Sequence, residues 1–516
     1  MAKATTPSFI TEIPLKVDSK LGSNLDARFQ AGRQLLNACL NEALIRMELV
    51  RKSEPYQQAK RLNRQKQKKQ RKDLFKKARE QYRFSEYDLH SFATITAKSS
   101  VWIAKNVDSN TQQKLATRAF KAVEKILFGQ AKHARFKVSS RFKSVERKSN
   151  KQGLRWLKDK VVWCGLTIEP IIDWNNPVMV HGVNSPVKYC RLLWRNLNGK
   201  KRWYIQLINK GTPYQKPQNY SIKGTVGLDV NISNVAFVAD NQSGLLPFAD
   251  KVPTYQREIQ ALQRKMQRSQ RINNPDNFEP NFDKKVGNKV VRKKGKVKKG
   301  RRQWIKSSNY RKAARKKAEL ERRKASYAKF QNRRLVNEIL RHGNQIKTEK
   351  VSIKGWQKRY GKAISAKSPG FFQSELKRKA ENANGSFLEF STQKTALSQT
   401  HLDGSRIKKT LSMRIHRDVT GFEMHRDLFS AFLSRHVCDD KLSLLDAQSE
   451  YPRAEPLLMD AWKQYQQTAN RVSEPVRPSG RVVESRKCYN SSERLSIQVL
   501  ASDQIVIKDD KSESHA

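Results

Sequence analysis

The chain has 516 residues and a formal net charge of +58, because 105 lysines and arginines face only 47 acidic residues. Its nine tryptophans, 21 phenylalanines and 14 tyrosines suffice for several packed cores, which argues against a ribosomal or histone-like protein of the same charge. A charge excess of this size is typical of proteins that bind phosphate backbones. We therefore expect nucleic acid as the partner, and two or three domains.

The sequence offers no membrane anchor. No apolar run reaches the length that spans a bilayer, no lipidation pattern is present, and the opening MAKATTPSF lacks the apolar core of a signal peptide. The five cysteines are scattered without paired spacing, as is usual in a reducing compartment. We expect a cytoplasmic protein with no membrane partner.

The first half of the chain alternates between strand and helix patterns. Residues 9–19 alternate apolar and polar side chains and predict a strand, whereas residues 25–135 show helical periodicity. Residues 136–222 contain several β-rich runs, and NLNGKKR supplies a glycine-bearing hairpin turn. One strand before a helical block and several after it predict a single β-barrel, formed by residues 1–24 and 136–222 and interrupted by helices.

A new domain opens at residue 223, where KGTVGLDVNISNVAFVADNQSG predicts two adjacent strands. Two basic amphipathic helices are predicted at 255–268 and at 310–341, joined by a loop that orders on nucleic acid. Between Lys284 and Arg334, 23 basic residues face two acidic ones, which exceeds what solubility requires. The predicted nucleic-acid-binding residues are Arg257, Arg264, Lys265, Arg268, Arg311, Lys312, Arg315, Arg322 and Arg323.

The last part of the chain is predicted to contain helices and one strand, followed by a largely disordered tail. Residues 371–384 look helical, FLEFST looks like a strand, and DLFSAFLSRHV predicts a final helix of the domain. For residues 439–516 the sequence predicts one short helix, from Leu457 to Tyr465, within a largely disordered tail.

Three acidic residues interrupt this basic chain within or beside short apolar runs. Asp229 lies in a predicted strand, Glu349 ends another, and Asp427 begins a helix, which is the order in which an RNase H-like fold assembles a metal site. Phosphodiester hydrolysis commonly uses two metal ions about 3.5 to 4 Å apart, and Mg²⁺ prefers carboxylate ligands. We predict these three residues to be catalytic and to hold two Mg²⁺ ions, with Asp229 as the bridging ligand.

The flanking segments resemble a known family. GLDVNISNVAFV, LQRKMQR, TEKVSIKGWQKRYG and RDLFSAFLSR follow one another as in the transposon-encoded TnpB proteins, ancestors of the type V CRISPR effector nucleases. The resemblance covers about residues 9–437. It implies an α+β multidomain fold: a β-barrel wedge domain with a helical recognition insertion, then an RNase H-like, RuvC-type α/β nuclease domain at 223–398 and 424–438.

The same resemblance implies a guide RNA, a double-stranded DNA target, Mg²⁺ dependence and a location at the bacterial nucleoid. Two departures from the family pattern stand out. Its zinc ribbon would occupy residues 399–423, but the cysteine positions hold His401, Asp403, Asp418 and Thr420. Without thiolates we expect a cysteine-less ribbon and no zinc. Phe429 also replaces the asparagine that the family places two residues after the last catalytic aspartate.

Three functions remain open on the sequence. The first is an RNA-guided DNA endonuclease of a transposable element. The second is a guided DNA-binding protein in which cleavage is weak or lost, as the missing ribbon cysteines suggest. The third is an RNase H-like transposase that acts without guide RNA.

Overall fold

The computed structural model describes residues 7–287, 289–300, 302–410, 413–473, 495–499 and 505–509. The chain divides into two compact units: the first comprises the described residues up to Tyr214 and those within Ile497–Ile507, and the second comprises the remaining described residues from Gln215 on. Across the described residues, none of the helices combines the length and the apolar character needed to cross a membrane.

The first unit contains seven strands and seven helices within its described residues. Its strands are β1 (Ser8–Pro14), β2 (Ser144–Glu146), β3 (Arg155–Leu157), β4 (Lys160–Trp163), β5 (Leu166–Ile168), β6 (Val187–Leu197) and β7 (Lys200–Lys210). Its helices are α1 (Ser19–Lys52), α2 (Glu54–Arg61), α3 (Lys68–Gln81), α4 (Glu86–Lys98), α5 (Val101–Asn106), α6 (Ser109–Leu127) and α7 (Pro177–Asn184).

The predicted closed β-barrel is wrong. The strands of this unit form two separate sheets, one with the order β1-β7-β6-β2 and one with the order β3-β4-β5. Only β1, β6 and β7 are long, whereas the strands β2 to β5 have three or four residues each. Strands this short form too few ladder hydrogen bonds for the tilt and stagger of a closed barrel.

Helix α1 forms the main part of the predicted helical block. Its first turn is capped by Asp18, whose side chain accepts a hydrogen bond from Leu21 N at 2.7 Å. Residues at helical spacing, among them Leu25, Phe29 and Leu36, are buried in the core of the unit. The ring of Phe29 meets Trp203 of β7 edge-on at a centroid distance of 5.0 Å, which joins helix and sheet.

The second unit carries the carboxylates. Its strands are β8 (Thr225–Val230), β9 (Asn234–Val238), β10 (Ser243–Pro247), β11 (Phe282–Val286), β12 (Lys289–Lys293), β13 (Gln345–Glu349), β14 (Ser386–Phe390), β15 (Ile415–Arg417), β16 (Glu423–His425), β17 (Val437–Cys438) and β18 (Lys441–Leu442). Its helices are α8 (Gln256–Asn273), α9 (Ser308–Leu340), α10 (Ile353–Lys367), α11 (Pro369–Asn382), α12 (Thr392–Thr395), α13 (Arg426–Arg435) and α14 (Leu444–Ser473). Two further strands, β19 (Leu495–Val499) and β20 (Ile505–Asp509), pair with each other.

A five-stranded mixed sheet with the order β10-β9-β8-β13-β14 forms the centre of this unit. β8, β9 and β10 are antiparallel neighbours, whereas β13 runs parallel to β8 and to β14. Val226, Leu228 and Val230 of β8 are buried in one core together with residues of α9 and α11. The opposite face of the sheet packs against α13, so helices cover both faces.

Two predictions for this unit need correction. The segment between the basic helices, predicted to be a loop, contains a hairpin in which β11 pairs with β12 from Phe282↔Lys293 to Val286↔Lys289. Beyond residue 439, the short helix predicted in a disordered tail is the 30-residue helix α14, whose Ala447, Tyr451 and Leu458 are buried in a core. Residues 474–494, 500–504 and 510–516 of the predicted tail lie outside the described residues.

Candidate metal centre

Asp229 and Glu349 lie at the same edge of the central sheet. β8 and β13 are parallel and paired in register from Thr225↔Gln345 to Leu228↔Thr348. The next residues along the two strands are therefore neighbours: Asp229 and Glu349. Neighbouring strands are about 4.8 Å apart, and paired residues point to the same face. The two carboxylates therefore stand side by side at the carboxyl ends of adjacent strands.

Gly227 brings helix α13 close to this pair. A Cβ atom at Gly227 would lie 2.1 Å from the carbonyl oxygen of Ala431, so only glycine permits this approach of helix to strand. Asp229 follows Gly227 by two residues on the same face, and Asp427 precedes Ala431 by four residues. Two strand residues span about 6.6 Å and four helix residues about 6 Å. Asp427 lies close enough to Asp229 for its charge to raise the pKa of Asp229.

Asp427 is held at the first turn of α13. The ring nitrogen Nδ1 of His425 accepts a hydrogen bond from Asp427 N at 3.3 Å and caps the helix. The side chain of Asp427 is fully buried, with Arg414 Nη1 3.5 Å from its Oδ2 and Arg426 Nη2 3.5 Å from its Oδ1. A carboxylate at a helix N-terminus is favoured by the helix dipole, and the two guanidinium groups offset part of its charge.

The electrostatics of the site favour a bound cation. Burial and the nearby carboxylates of Asp427 and Glu349 raise the pKa of Asp229 well above its usual value, although Arg426 acts in the opposite direction. Burial raises the pKa of Glu349 to about 7. Three carboxylates that share one desolvated space repel one another, and a divalent cation relieves that repulsion.

These residues fit Mg²⁺. All three offer the oxygen donors that this ion prefers. In the described part of the chain, the three carboxylates do not form a group whose oxygens all lie within 4.8 Å of one another.

The four predicted zinc-ribbon positions do not converge. His401 and Asp418 are buried, but Asp403 is exposed and its Oδ1 accepts hydrogen bonds from the backbone and the side chain of Ser405. Thr420 is exposed and donates its hydroxyl to Asp418 Oδ1 at 2.9 Å. Asp403 and Thr420 thus belong to local turns, and His401 and Asp418 are the two members of the quartet that are buried together.

The sequence interpretation missed His416. Its Nε2 lies 2.8 Å from Asp418 Oδ2, and His401 Nδ1 lies 3.2 Å from the same oxygen. Among the described residues, these three form the one group of His, Cys, Asp and Glu side chains whose ligand atoms all lie within 4.8 Å. The available signal was the spacing of His416 in β15 and Asp418 directly after it, because residues two apart in an extended segment share one face.

Most ligand atoms of this group are already engaged, although His401 Nε2 is buried without a hydrogen-bond partner among the described residues. Lys409 Nζ lies 2.5 Å from His416 Nδ1, Leu402 N donates to Asp418 Oδ2 at 3.0 Å, and Val419 N donates to His401 Nδ1 at 3.2 Å. Burial lowers the pKa of His416 to about 4, so its ring is neutral at pH 7. Although burial opposes it, hydrogen bonds from His416, Thr420 and Leu402 lower the pKa of Asp418. This hydrogen-bonded network does not fit the four-thiolate zinc site that the resemblance implies.

Phe429 packs into the same region. Its ring lies at centroid distances of 4.3 Å from His416 and 5.4 Å from Phe422, and it is fully buried. The residue that replaces an asparagine in the family pattern therefore belongs to the apolar core between the ribbon and α13, and supplies no polar group to the carboxylates.

The basic candidates lie on α8 and α9, which pack against each other. The exposed members are Arg257, Arg264, Lys265, Arg268, Arg311, Lys312 and Arg315. Arg322 and Arg323 are half-buried and both pair with Glu319 of the same helix, at 2.6 and 3.2 Å. Their role as nucleic-acid-binding residues stays a prediction.

No model of a protein family matches the sequence, and no curated protein matches it. Among solved structures, the chain is similar to a Cas12f1–sgRNA–target DNA complex, with 9% identity, a TM-score of 0.42, and coverage of 85% of this chain and 99% of that chain. It is also similar to a CRISPR–Cas12f ternary complex, with 10% identity, a TM-score of 0.26, and coverage of 85% of this chain and 100% of that one.

Proposed function

We propose that this chain is an RNA-guided, Mg²⁺-dependent DNA endonuclease of a transposable element, with an RNase H-like domain of the RuvC type. The observation that carries the proposal is the arrangement of Asp229, Glu349 and Asp427 at one edge of the central sheet, where neighbouring carboxylates raise the pKa of Asp229. Phosphodiester hydrolysis by metal ions needs such a set of oxygen ligands.

Each residue of the site has a distinct task. Asp229 would be the ligand shared by two ions, and Glu349 and Asp427 would each complete the set of oxygen ligands. Mg²⁺ held there would lower the pKa of a bound water and offset charge on the scissile phosphate. Arg426 and Arg414 orient Asp427, because their guanidinium groups lie 3.5 Å from its two oxygens.

The basic helices suit the guided part of the function. In an RNA-guided enzyme, base pairing reads the target sequence and the protein grips the backbones of the duplexes. The exposed arginines and lysines of α8 and of the first half of α9 provide charge for such contacts. A guide RNA and double-stranded DNA are therefore the partners we assign.

A second candidate function is guided DNA binding without efficient cleavage. The specific observation in its favour is the ribbon, where a hydrogen-bonded network stands in place of metal-binding thiolates. The carboxylates are complete in either case, so the two functions differ in turnover and not in the ligand set.

Sequencing the nucleic acid that copurifies with the protein, followed by an assay on matching DNA with Mg²⁺, separates the possibilities. The proposal predicts a discrete RNA with a variable end and cleavage of the DNA that matches this end. Binding of matched DNA without nicking in excess Mg²⁺ favours the second function. Joining of DNA ends by a preparation free of RNA would contradict both, and would indicate a transposase.

A further inference from the structure

A pocket of about 280 Å³ opens directly beside the candidate metal centre. Two of its lining residues contact Asp427: His425, which caps α13 at Asp427 N, and Arg414, whose Nη1 lies 3.5 Å from Asp427 Oδ2. A molecule that enters this pocket is therefore separated from Asp427 only by the side chains of His425 and Arg414.

The outer wall of the pocket comes from helix α14, which lies beyond the part of the chain that shows the family resemblance. Trp462 and Tyr465 are three residues apart and so share one face of the helix. The Tyr465 ring meets His425 at a centroid distance of 5.8 Å and an angle of 62°. Both aromatic residues are half-buried, while Leu458 and Ala461 anchor the same helix in the core. The wall thus presents two aromatic rings on a fixed support.

The pocket also has an unused polar group. Asn234, at the start of β9, is 4% exposed, and its buried Oδ1 has no hydrogen-bond partner among the described residues. A buried acceptor without a partner is unfavourable, and a ligand with an N–H group would supply the missing hydrogen bond. Arg414 retains about half of its side-chain exposure, so its charge faces the pocket mouth as well as Asp427.

We propose that this pocket receives the nucleobase next to the scissile phosphate of a single DNA strand. Aromatic rings stack on any base, the unpaired amide oxygen of Asn234 accepts from a base N–H, and a guanidinium group binds phosphate. Trp462 and Tyr465 are then positioning residues, which fix the strand so that its phosphate meets the metal ligands. The inference rests on the proposed nuclease function, because that function defines which phosphate is cut.

The test uses fluorescence of 2-aminopurine in a short single-stranded oligodeoxynucleotide, added to the full-length protein without Mg²⁺. Stacking on an aromatic ring quenches this base. The wild type should quench it, while Trp462→Leu and Tyr465→Leu should lose most of the quenching and bind about tenfold more weakly. Tyr465→Phe keeps the ring and should quench like the wild type. Lys463→Ala, an exposed change on the same helix turn, is the matched control.

A second arm adds Mg²⁺ and guided DNA in which the base beside the cut is removed. The wild type should cut this abasic DNA about tenfold more slowly than intact DNA, whereas Tyr465→Leu should cut both equally slowly, because the lost contact is the same. Quenching without any cutting would overturn the proposed nuclease and leave the pocket standing. Cutting that both leucine variants retain in full, with unchanged quenching, would overturn the pocket.

Discussion

The proton on Glu349 decides how tightly the site binds metal. Burial raises its pKa to about 7, so the carboxyl is largely neutral at pH 6 and largely ionised at pH 8. Because Mg²⁺ binds the ionised form, protons compete with the metal below pH 7. We predict that the apparent affinity for Mg²⁺ rises about tenfold from pH 6 to pH 8.

Isothermal titration of the purified protein with Mg²⁺ at the two pH values measures this effect. Glu349→Gln removes the titrating group, so its residual affinity should vary much less over the same range. An affinity of the wild type that stays constant from pH 6 to pH 8 would contradict the role of Glu349 as a ligand.

At the scale of single residues, the sequence indicated where the three carboxylates lie but not how the ribbon residues contact one another. Asp229, Glu349 and Asp427 each follow or interrupt an apolar run, and strand ends are visible in a pattern of period two. The contact of His416 with Asp418 and His401 depends on how two turns fold back on each other, which no local pattern reports. Likewise, the pairing of Arg322 and Arg323 with Glu319 is a choice of side-chain conformation.

At the scale of secondary structure, the position of helix α13 depends on Gly227, because this residue has no side chain. An alanine Cβ there would meet Ala431 O at 2.1 Å, so the helix must move away from β8 and carry Asp427 with it. We predict that Gly227→Ala costs about 1 to 3 kcal/mol of stability and strongly reduces cleavage.

Chemical denaturation and single-turnover cleavage test this prediction together. Gly361→Ala is the matched control, since a Cβ at Gly361 meets nothing within 4 Å. If Gly227→Ala cuts DNA at the wild-type rate, α13 does not position Asp427 as described.

Residues 399–423, the predicted ribbon, are held by hydrogen bonds where the family pattern has cysteine thiolates and zinc. Asp418 accepts from Leu402 N, from His416 Nε2 and from Thr420 within a buried network. Asp418→Ala should therefore lower the stability by about 3 kcal/mol, because several buried donors lose their acceptor. Asp403→Ala, at an exposed turn, should cost less than about 1 kcal/mol.

Thermal unfolding in Mg²⁺-free buffer, with and without a zinc-selective chelator, measures both changes without a contribution from Mg²⁺ at the candidate metal centre. The network predicts that the melting temperature of the wild type does not depend on the chelator. A clear fall of that temperature on chelation would show that a metal supports the ribbon instead.

Two elements were predicted wrongly for physical reasons. Pro452 and Pro456 lie inside α14, and proline within a pattern normally marks a helix end, so only a fragment near Leu457 was recognised. The barrel prediction failed because the strands β2 to β5 are too short for their pairing to be read from alternation. In both cases tertiary contacts decide the structure: the buried face of α14, and the separate pairing of β3 with β4 and β5.

At the scale of the whole molecule, the formal charge of +58 determines how binding of nucleic acid depends on salt. Release of counterions from duplex DNA predicts that log K falls with log salt with a slope of about 0.9 per phosphate contact. Replacing Arg264 and Arg268 together by glutamine should lower the magnitude of the slope by roughly 1.8, the amount for two phosphate contacts, if both arginines bind the DNA backbone. Titration of labelled duplex DNA over a salt series measures the slope, and a salt-insensitive complex would contradict the charge argument.

The central claim concerns the three carboxylates, and Asp229→Asn tests it most directly because the substitution keeps the size of the side chain and removes its charge. The measurement is cleavage of matched DNA by the protein with its copurified RNA in Mg²⁺, beside binding of the same DNA. We predict that Asp229→Asn abolishes cleavage while binding is retained, and that Asp460→Asn, an exposed change on α14, cuts like the wild type. Cleavage at the wild-type rate by Asp229→Asn would contradict the assignment of the metal centre.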